Sequence, residues 1–135
     1  MAAYLLDTDT CVSIMRGPSE KLARRMCEIP LEEQAISVVT LAELLYGVRV
    51  SGGRPKQNRA ALEAFAKYVS TLDWTAGAAE HYAEIRSHLR KRGQVIGAND
   101  LMIAAHARDI GAVLVTNNER EFRRVPSLMI ENWMS

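Results

Sequence analysis

Cysteine and histidine are scarce in this chain, at 2 and 3 of 135 residues. Cys11 and Cys27 lack metal-ligand spacing, and His81, His88 and His106 share none with one another, so nothing points to a zinc site. The cysteines read as small, reduced, apolar residues of a cytosolic protein. No adjacent Ser–His or Cys–His pairing suggests covalent catalysis. No apolar run approaches the ~20 residues of a membrane span. The opening MAAYLLDTDT has no basic region, long apolar core or cleavage site, so no signal peptide is expected. A cytoplasmic location without membrane contact follows as the expectation. An excess of either charge is missing too: 17 Lys and Arg face 16 Asp and Glu, a net charge of +1. Such a balance gives no global attraction to nucleic acid, and phosphate binding must come from local patches or bound cations. Repeats, low-complexity tracts and boundary signals are absent. The length fits a single domain, 1–135, able to bury roughly two thirds of its unfolded surface without disulfides.

What is present is an ordinary globular composition, 48% hydrophobic and 24% charged. Apolar runs predict strands at Ala3–Leu6, Ala35–Val38, Val69–Leu72 and Ala112–Val115, with a weaker one at Leu128–Ile130. Between them, helical spacing recurs in Leu22, Met26 and Ile29; in Leu41, Leu44, Leu45 and Val48; in Leu62, Phe65 and Val69; from Ala79 to Leu89; and from Leu101 to Ala107, with Gly111 as a helix stop. Ser51 to Pro55 reads as a turn, with Pro55 opening the next helix. Alternating strands and helices predict an α/β fold with a central parallel sheet and helices on both faces.

In open parallel sheets, ligands gather beyond the carboxyl ends of the strands. Asp7 follows the first expected strand, and Asp9 lies two residues on. Glu43 comes one helical turn after Ser37-Val38-Val39-Thr40. Thr116-Asn117-Asn118 and then Glu121 follow the fourth strand, and Asp100 opens a helix after Gly97. Carboxylates converging on one point repel each other unless a cation neutralises them. A divalent ion such as Mg²⁺, with oxygen ligands at ~2.0–2.1 Å, can bind a scissile phosphate, activate water and stabilise the leaving oxygen. Structural readings compete. Thr40-x-x-Glu43 fits a capping box, and Asp7, Asp9 and Asp100 all suit helix starts, each cap contributing about 1 kcal/mol without any catalytic role. Three separate caps need not share one edge, however, and the combination favours a site.

The motifs carry a resemblance. Tyr4-Leu5-Leu6-Asp7-Thr8-Asp9, Ser37 to Leu44 with Tyr46-Gly47, Ile96 to Ala107 around Asp100, and Thr116-Asn117-Asn118 with Glu121-Phe122 and Glu131-Asn132-Trp133 occur in order along nearly the whole chain. Together they resemble the PIN-domain ribonucleases, most closely the VapC toxins of type II toxin–antitoxin pairs. The resemblance implies a three-layer α/β/α fold, Mg²⁺ or Mn²⁺ at the acidic edge, and endonucleolytic cleavage of RNA. It implies tRNA as substrate, with the anticodon region of initiator tRNA as leading candidate. A homodimer restrained by a cognate VapB-type antitoxin is implied as well. Asp7 and Asp100 become metal ligands and Glu43 completes an acidic triad. Where PIN domains often carry Thr-x-Asp, this chain has Thr116-Asn117-Asn118. Thr116 and Asn118 are then water or phosphate contacts, Glu121 can supply the missing carboxylate, and the number of metal ions stays open.

A function of another class, a catalytically silent PIN-fold module that only docks a protein, gives no reason to keep three mutually repelling carboxylates. Asp7-Thr8-Asp9-Thr10 is also similar to the nucleophile loop of haloacid-dehalogenase phosphatases. Cys11 breaks that pattern, and the lysine motif and late acidic pair are missing. Asp9 then reads as a helix N-cap. The histidines read as structural or surface residues, and Trp74 and Trp133 as packing anchors. Arg86, Arg90, Lys91 and Arg92 suit a helix C-terminus or an RNA-backbone patch equally. The apolar segment Val39–Val50 and the helix after it predict a groove for an antitoxin helix, and Tyr46 and Tyr82 fit either an interface or the core.

Overall fold

A computed structural model describes residues 2–135, the side chain of Pro55 excepted; Met1, part of the expected domain, lies outside the described residues. Five parallel strands, β1 (Tyr4–Leu6), β2 (Gln34–Ser37), β3 (Ser70–Leu72), β4 (Val113–Val115) and β5 (Ile130–Glu131), form one sheet in the order β3-β2-β1-β4-β5. The helices are α1 (Thr8–Arg16), α2 (Glu20–Glu28), α3 (Val38–Val50), α4 (Pro55–Tyr68), α5 (Ala76–Lys91), α6 (Ala98–Ile110) and the short α7 (Glu119–Phe122). The expected three-layer architecture is the observed one.

Side-chain alternation along the strands builds the layers. Leu5, Ala35 and Leu114 face a core with Ile85, Leu89, Leu101, Ile103 and Phe122, from α5, α6 and α7. Their neighbours Leu6, Ile36 and Val115 face the other way, onto Cys11, Leu22, Met26, Leu44, Leu62 and Phe65, from α1 to α4. A sheet buried on both faces needs strands that are apolar at every position, which is why the short runs Tyr4–Leu6 and Val113–Val115 were legible. No described helix is long and apolar enough to cross a membrane.

Several expected edges move, each for a local reason. β2 starts at Gln34, before the expected Ala35, because its buried amide N–H groups donate to the Met26 and Ile29 carbonyls at 3.1 and 2.9 Å, while its Oε1 is buried without a partner. It ends at Ser37, since Val38 already belongs to α3. Val69 caps α4 through its N–H on the Phe65 carbonyl, leaving β3 to begin at Ser70. Ala112 donates to the Ala107 carbonyl and closes α6 behind Gly111, whose φ of 67° is left-handed. The last strand, expected at Leu128–Ile130, is Ile130–Glu131.

β1 lies between β2 and β4, so the chain leaves it towards one half of the sheet and reaches the other half later. The crevice beyond the carboxyl ends of β1 and β4 is the switch point where such sheets bind ligands. Asp7 follows β1 directly and Thr116 follows β4.

Candidate active site

Asp7 is the N-cap of α1, its Oδ1 accepting from the Thr10 N–H at 2.9 Å. Its own N–H donates to the Val115 carbonyl at 3.0 Å, tying the β1 end to β4. Asp9, expected as the cap, is instead an exposed residue of the first turn, because the helix starts immediately after the strand. The Asp7 side chain is 3% exposed. Burial raises its pKa above the usual carboxylate value, opposed by the Thr116 hydroxyl and the Thr10 N–H.

The expected capping box at Thr40 and Glu43 is not formed. Ser37, the last residue of β2, caps α3 by accepting from the Val39 N–H at 3.1 Å. Thr40 is therefore inside the helix and buried. Glu43 is left free of a cap role. Its Oε1 accepts from the Thr8 hydroxyl and its Oε2 from the Asn99 amide at 3.2 Å, which draws α3, α1 and α6 together.

Asp100 lies in the first turn of α6, and Glu121 reaches it from α7. Glu121 Oε1 accepts from the Gly97 N–H at 2.9 Å and Oε2 from the Asn118 amide at 3.0 Å. A side chain at Gly97 would sit against both carboxylates, its Cβ 3.5 Å from Asp100 Oδ2 and 3.9 Å from Glu121 Oε1. Burial, then the charges of Glu121, Glu43 and Asp7, push Asp100 up to about 7. Glu121 shifts the other way. Burial opposes this, but the Gly97 N–H, the Asn118 amide, a hydrogen bond from Asp100 and the charge of Arg124 hold it low. The two neighbouring carboxyls are thus driven apart, Asp100 upward and Glu121 downward.

All six sequence-derived positions lie at this edge. Asp7, Glu43, Asp100 and Glu121 sense one another or share partners, Thr116 sits beside Asp7, and the Asn118 N–H donates to Thr116 Oγ1 at 2.9 Å while its amide orients Glu121. Sequence reasoning missed Asn99, Thr8, the Gly97 N–H and Arg124. Only their nearness to Asp100, Asp7 and Glu121 in the chain hinted at them. The histidines stay outside: buried His106 bonds Ser37 Oγ at 2.8 Å through Nδ1, and His81 Nδ1 accepts from Arg108 at 2.8 Å. Trp133 is buried against Tyr4 and Arg25, and the Trp74 indole donates to the Met102 carbonyl.

Among the described residues, no Lys or Arg forms an ion pair with Asp7, Glu43, Asp100 or Glu121. Nor do three His, Cys, Asp or Glu side chains lie close enough together to hold a metal ion among them. The acidic side chains that do gather here offer only oxygen donors, the kind a hard divalent cation takes. Mg²⁺ takes oxygen donors, keeps several waters and is commonly bound by one or two carboxylates plus substrate phosphate rather than by an all-protein cage. Asp100 is raised by burial first and by the surrounding carboxylates second, and a bound cation would relieve the second effect.

A model of the PIN domain matches residues 4–128. The tRNA(fMet)-specific endonuclease VapC of Salmonella typhimurium is 39% identical over 133 residues, covering 98% of this chain and 99% of its own. Ribonuclease VapC2 of Rickettsia felis is 40% identical over 131 residues, covering 96% and 97%. The chain belongs to the PIN-domain family, in its VapC group. Solved structures agree with this VapC assignment. DNA-bound VapBC from Salmonella typhimurium superposes with a TM-score of 0.93 at 39% identity, covering 98% of this chain and 99% of that one. VapBC2 from Rickettsia felis, bound to a promoter fragment, gives 0.89 at 39% identity, covering 96% and 98%.

Proposed function

We propose that this chain is a metal-dependent endoribonuclease, the toxin of a VapB–VapC pair, which cuts tRNA in the cytoplasm and so inhibits translation. The observation that carries this reading is the gathering of Asp7, Glu43, Asp100 and Glu121 at the switch point, where burial and then the neighbouring carboxylates push Asp100 up to about 7. The reading is supported by relatives named for RNA cleavage, one for tRNA(fMet).

Asp7 and Asp100 would hold Mg²⁺ or Mn²⁺, with Glu43 completing the acidic set. That ion would supply Lewis-acid activation of water and neutralise charge gathering on the scissile phosphate. The chain does the positioning. Thr10 and Thr116 fix Asp7, Thr8 and Asn99 fix Glu43, and Gly97 and Asn118 fix Glu121 against Asp100.

A net charge of +1 cannot grip a long duplex by phosphate neutralisation alone. Specificity then comes from shape and from unstacked nucleotides, and a rigid paired helix restricts in-line approach to the phosphate. Cleavage is expected in a loop of a folded RNA, with the anticodon region of initiator tRNA as the leading target. Direct attack by water leaves a 5′-phosphate and a 3′-hydroxyl. Mapping the ends of a cleaved initiator tRNA transcript tests this. A 2′,3′-cyclic phosphate would make the 2′-hydroxyl the nucleophile and refute the mechanism, and equally fast cutting of perfectly paired RNA would refute the substrate form.

The partner is expected in the groove between α1, α3 and α4. A cavity of about 250 Å³ there is lined by Val12, Met15, Val48 and Ala61, and also by Thr8, Arg16 and Glu43. An amphipathic antitoxin helix suits such a groove, and an Arg or Lys carried on it would pair with the carboxylates in place of the cation. The solved relatives are VapBC complexes. Tyr46 and Val50, 68% and 59% exposed on α3, add apolar surface for partner or second copy. Light scattering at micromolar concentration is expected to give a dimer mass alone and a larger mass with antitoxin peptide; a strict monomer would contradict the dimer.

A further inference from the structure

A second cavity, of about 560 Å³, shares the first turn of α6 with the acidic site: Ala98 and Leu101 line it, while Asp100 between them belongs to the carboxylate cluster. That volume lies within the roughly 300–1,000 Å³ of small-ligand sites. Its walls are apolar, from Leu89, Leu101 and Ile96, with the Tyr82 ring on the α5 side. Arg86 and Arg90, from the last turns of α5, line it as well. The Arg86 guanidinium lies 5.9 Å from the Tyr82 ring centroid and donates to the Tyr82 hydroxyl at 3.0 Å. Val95, 82% exposed, also lines it.

The loop Gly93–Gly97 joins this cavity to the acidic edge. Gly97 donates to Glu121, and the Arg124 guanidinium, whose charge helps hold Glu121 low, donates to the Val95 carbonyl at 2.9 Å. Arg86, Arg90, Lys91 and Arg92 are all exposed, and among the described residues none forms an ion pair. A basic, partly aromatic cavity therefore adjoins the cluster that the proposed reaction uses.

We propose that this cavity is a nucleotide subsite for the RNA substrate: a base flanking the scissile phosphate is splayed into it against Tyr82, with adjoining phosphates on Arg86 and Arg90. The inference rests on the ribonuclease reading. Base-on-aromatic stacking beside cationic side chains is how proteins hold single-stranded nucleic acid. Gln94, the one amide side chain lining the cavity, carries both a donor and acceptor for a base edge. A polyanion complements the unpaired arginines. A second copy related by a twofold axis through this face would instead set like charges against each other.

The test uses the full chain with Arg86→Gln and Arg90→Gln combined, both exposed positions, with a circular-dichroism melt to confirm folding. On a loop-containing tRNA transcript the double variant is expected to raise KM about tenfold or more with kcat nearly unchanged. Binding of a short single-stranded RNA by the Asp7→Asn protein, measured by fluorescence anisotropy, should lose about 1.4 from its log K against log salt slope when both arginines are replaced, at ~0.7 per phosphate contact. Gln94→Ala should change the preference among homopolymers without changing the slope. Unchanged KM and slope in a protein that cuts RNA would overturn the subsite. So would a double variant that turns monomeric in light scattering, because the face would then be a contact between copies. A wild-type protein that cuts no RNA defeats the ribonuclease reading instead, and the salt slope still decides the subsite.

Discussion

Asp7→Asn is expected to lower RNA cleavage more than about 100-fold while leaving the fold intact. The magnitude follows from the carboxylate's place at the switch point: changing residues that merely orient metal ligands already costs roughly 10–100-fold. The fold should survive because Asn caps helices about as well as Asp, and the amide oxygen can still accept from the Thr10 N–H that Oδ1 now takes at 2.9 Å. Burial has already raised the Asp7 pKa, so removing the charge relieves a cost, and the melting temperature without metal should stay level or rise. A variant with full activity and wild-type metal dependence would remove Asp7 from the site. Asp100→Asn is expected to behave alike in cleavage.

Asp100 also predicts a pH dependence of stability in the metal-free protein. Its pKa is about 7 in the folded chain against an ordinary 3.8. A raised folded pKa gives stability that is complete below the unfolded value and is lost as pH rises through the folded one. Metal-free protein should therefore melt lower at about pH 8 than at about pH 6.5. Glu121, held low, loses its contribution only under more acid conditions. His106, whose pKa burial depresses from 6.5, acts oppositely below that value, which sets the lower end of the window. Mn²⁺ should raise the melting temperature most at the alkaline end, since a ligand of the folded state stabilises it. Asp100→Asn should flatten the metal-free profile; an equally steep profile in that variant would place the titration elsewhere.

The two-sided core was legible because Tyr4–Leu6, Ala35–Ile36 and Val113–Val115 are apolar at every position, which a sheet covered on both faces requires. Asp7 and Asp100 were legible as polar residues opening helices at strand ends or after Gly97. The helix start at α3 was not. Ser37 and Thr40 both have the chemistry of a cap, and only the buried end of β2 at Ser37 decides between them, which in turn frees Glu43 to reach Thr8 and Asn99. Gln34 was missed as a strand residue because its partners, the Met26 and Ile29 carbonyls, exist only once α2 has folded back. Glu121 was named as a stand-in carboxylate from the family resemblance, but its grip on the Gly97 N–H, 24 residues away, has no local signature. Contacts of that kind depend on the order of strands, which hydrophobic periodicity does not encode.

The central claim is that the carboxylates beyond β1 and β4 form a cation-dependent ribonuclease site. Incubating the purified protein with total RNA in Mn²⁺, in EDTA, and as the Asp7→Asn variant in Mn²⁺ tests it most directly. The account predicts discrete cleavage by the wild-type protein in Mn²⁺ and intact RNA in the other two. Cleavage that persists in EDTA, or in the variant at the wild-type rate, would contradict it.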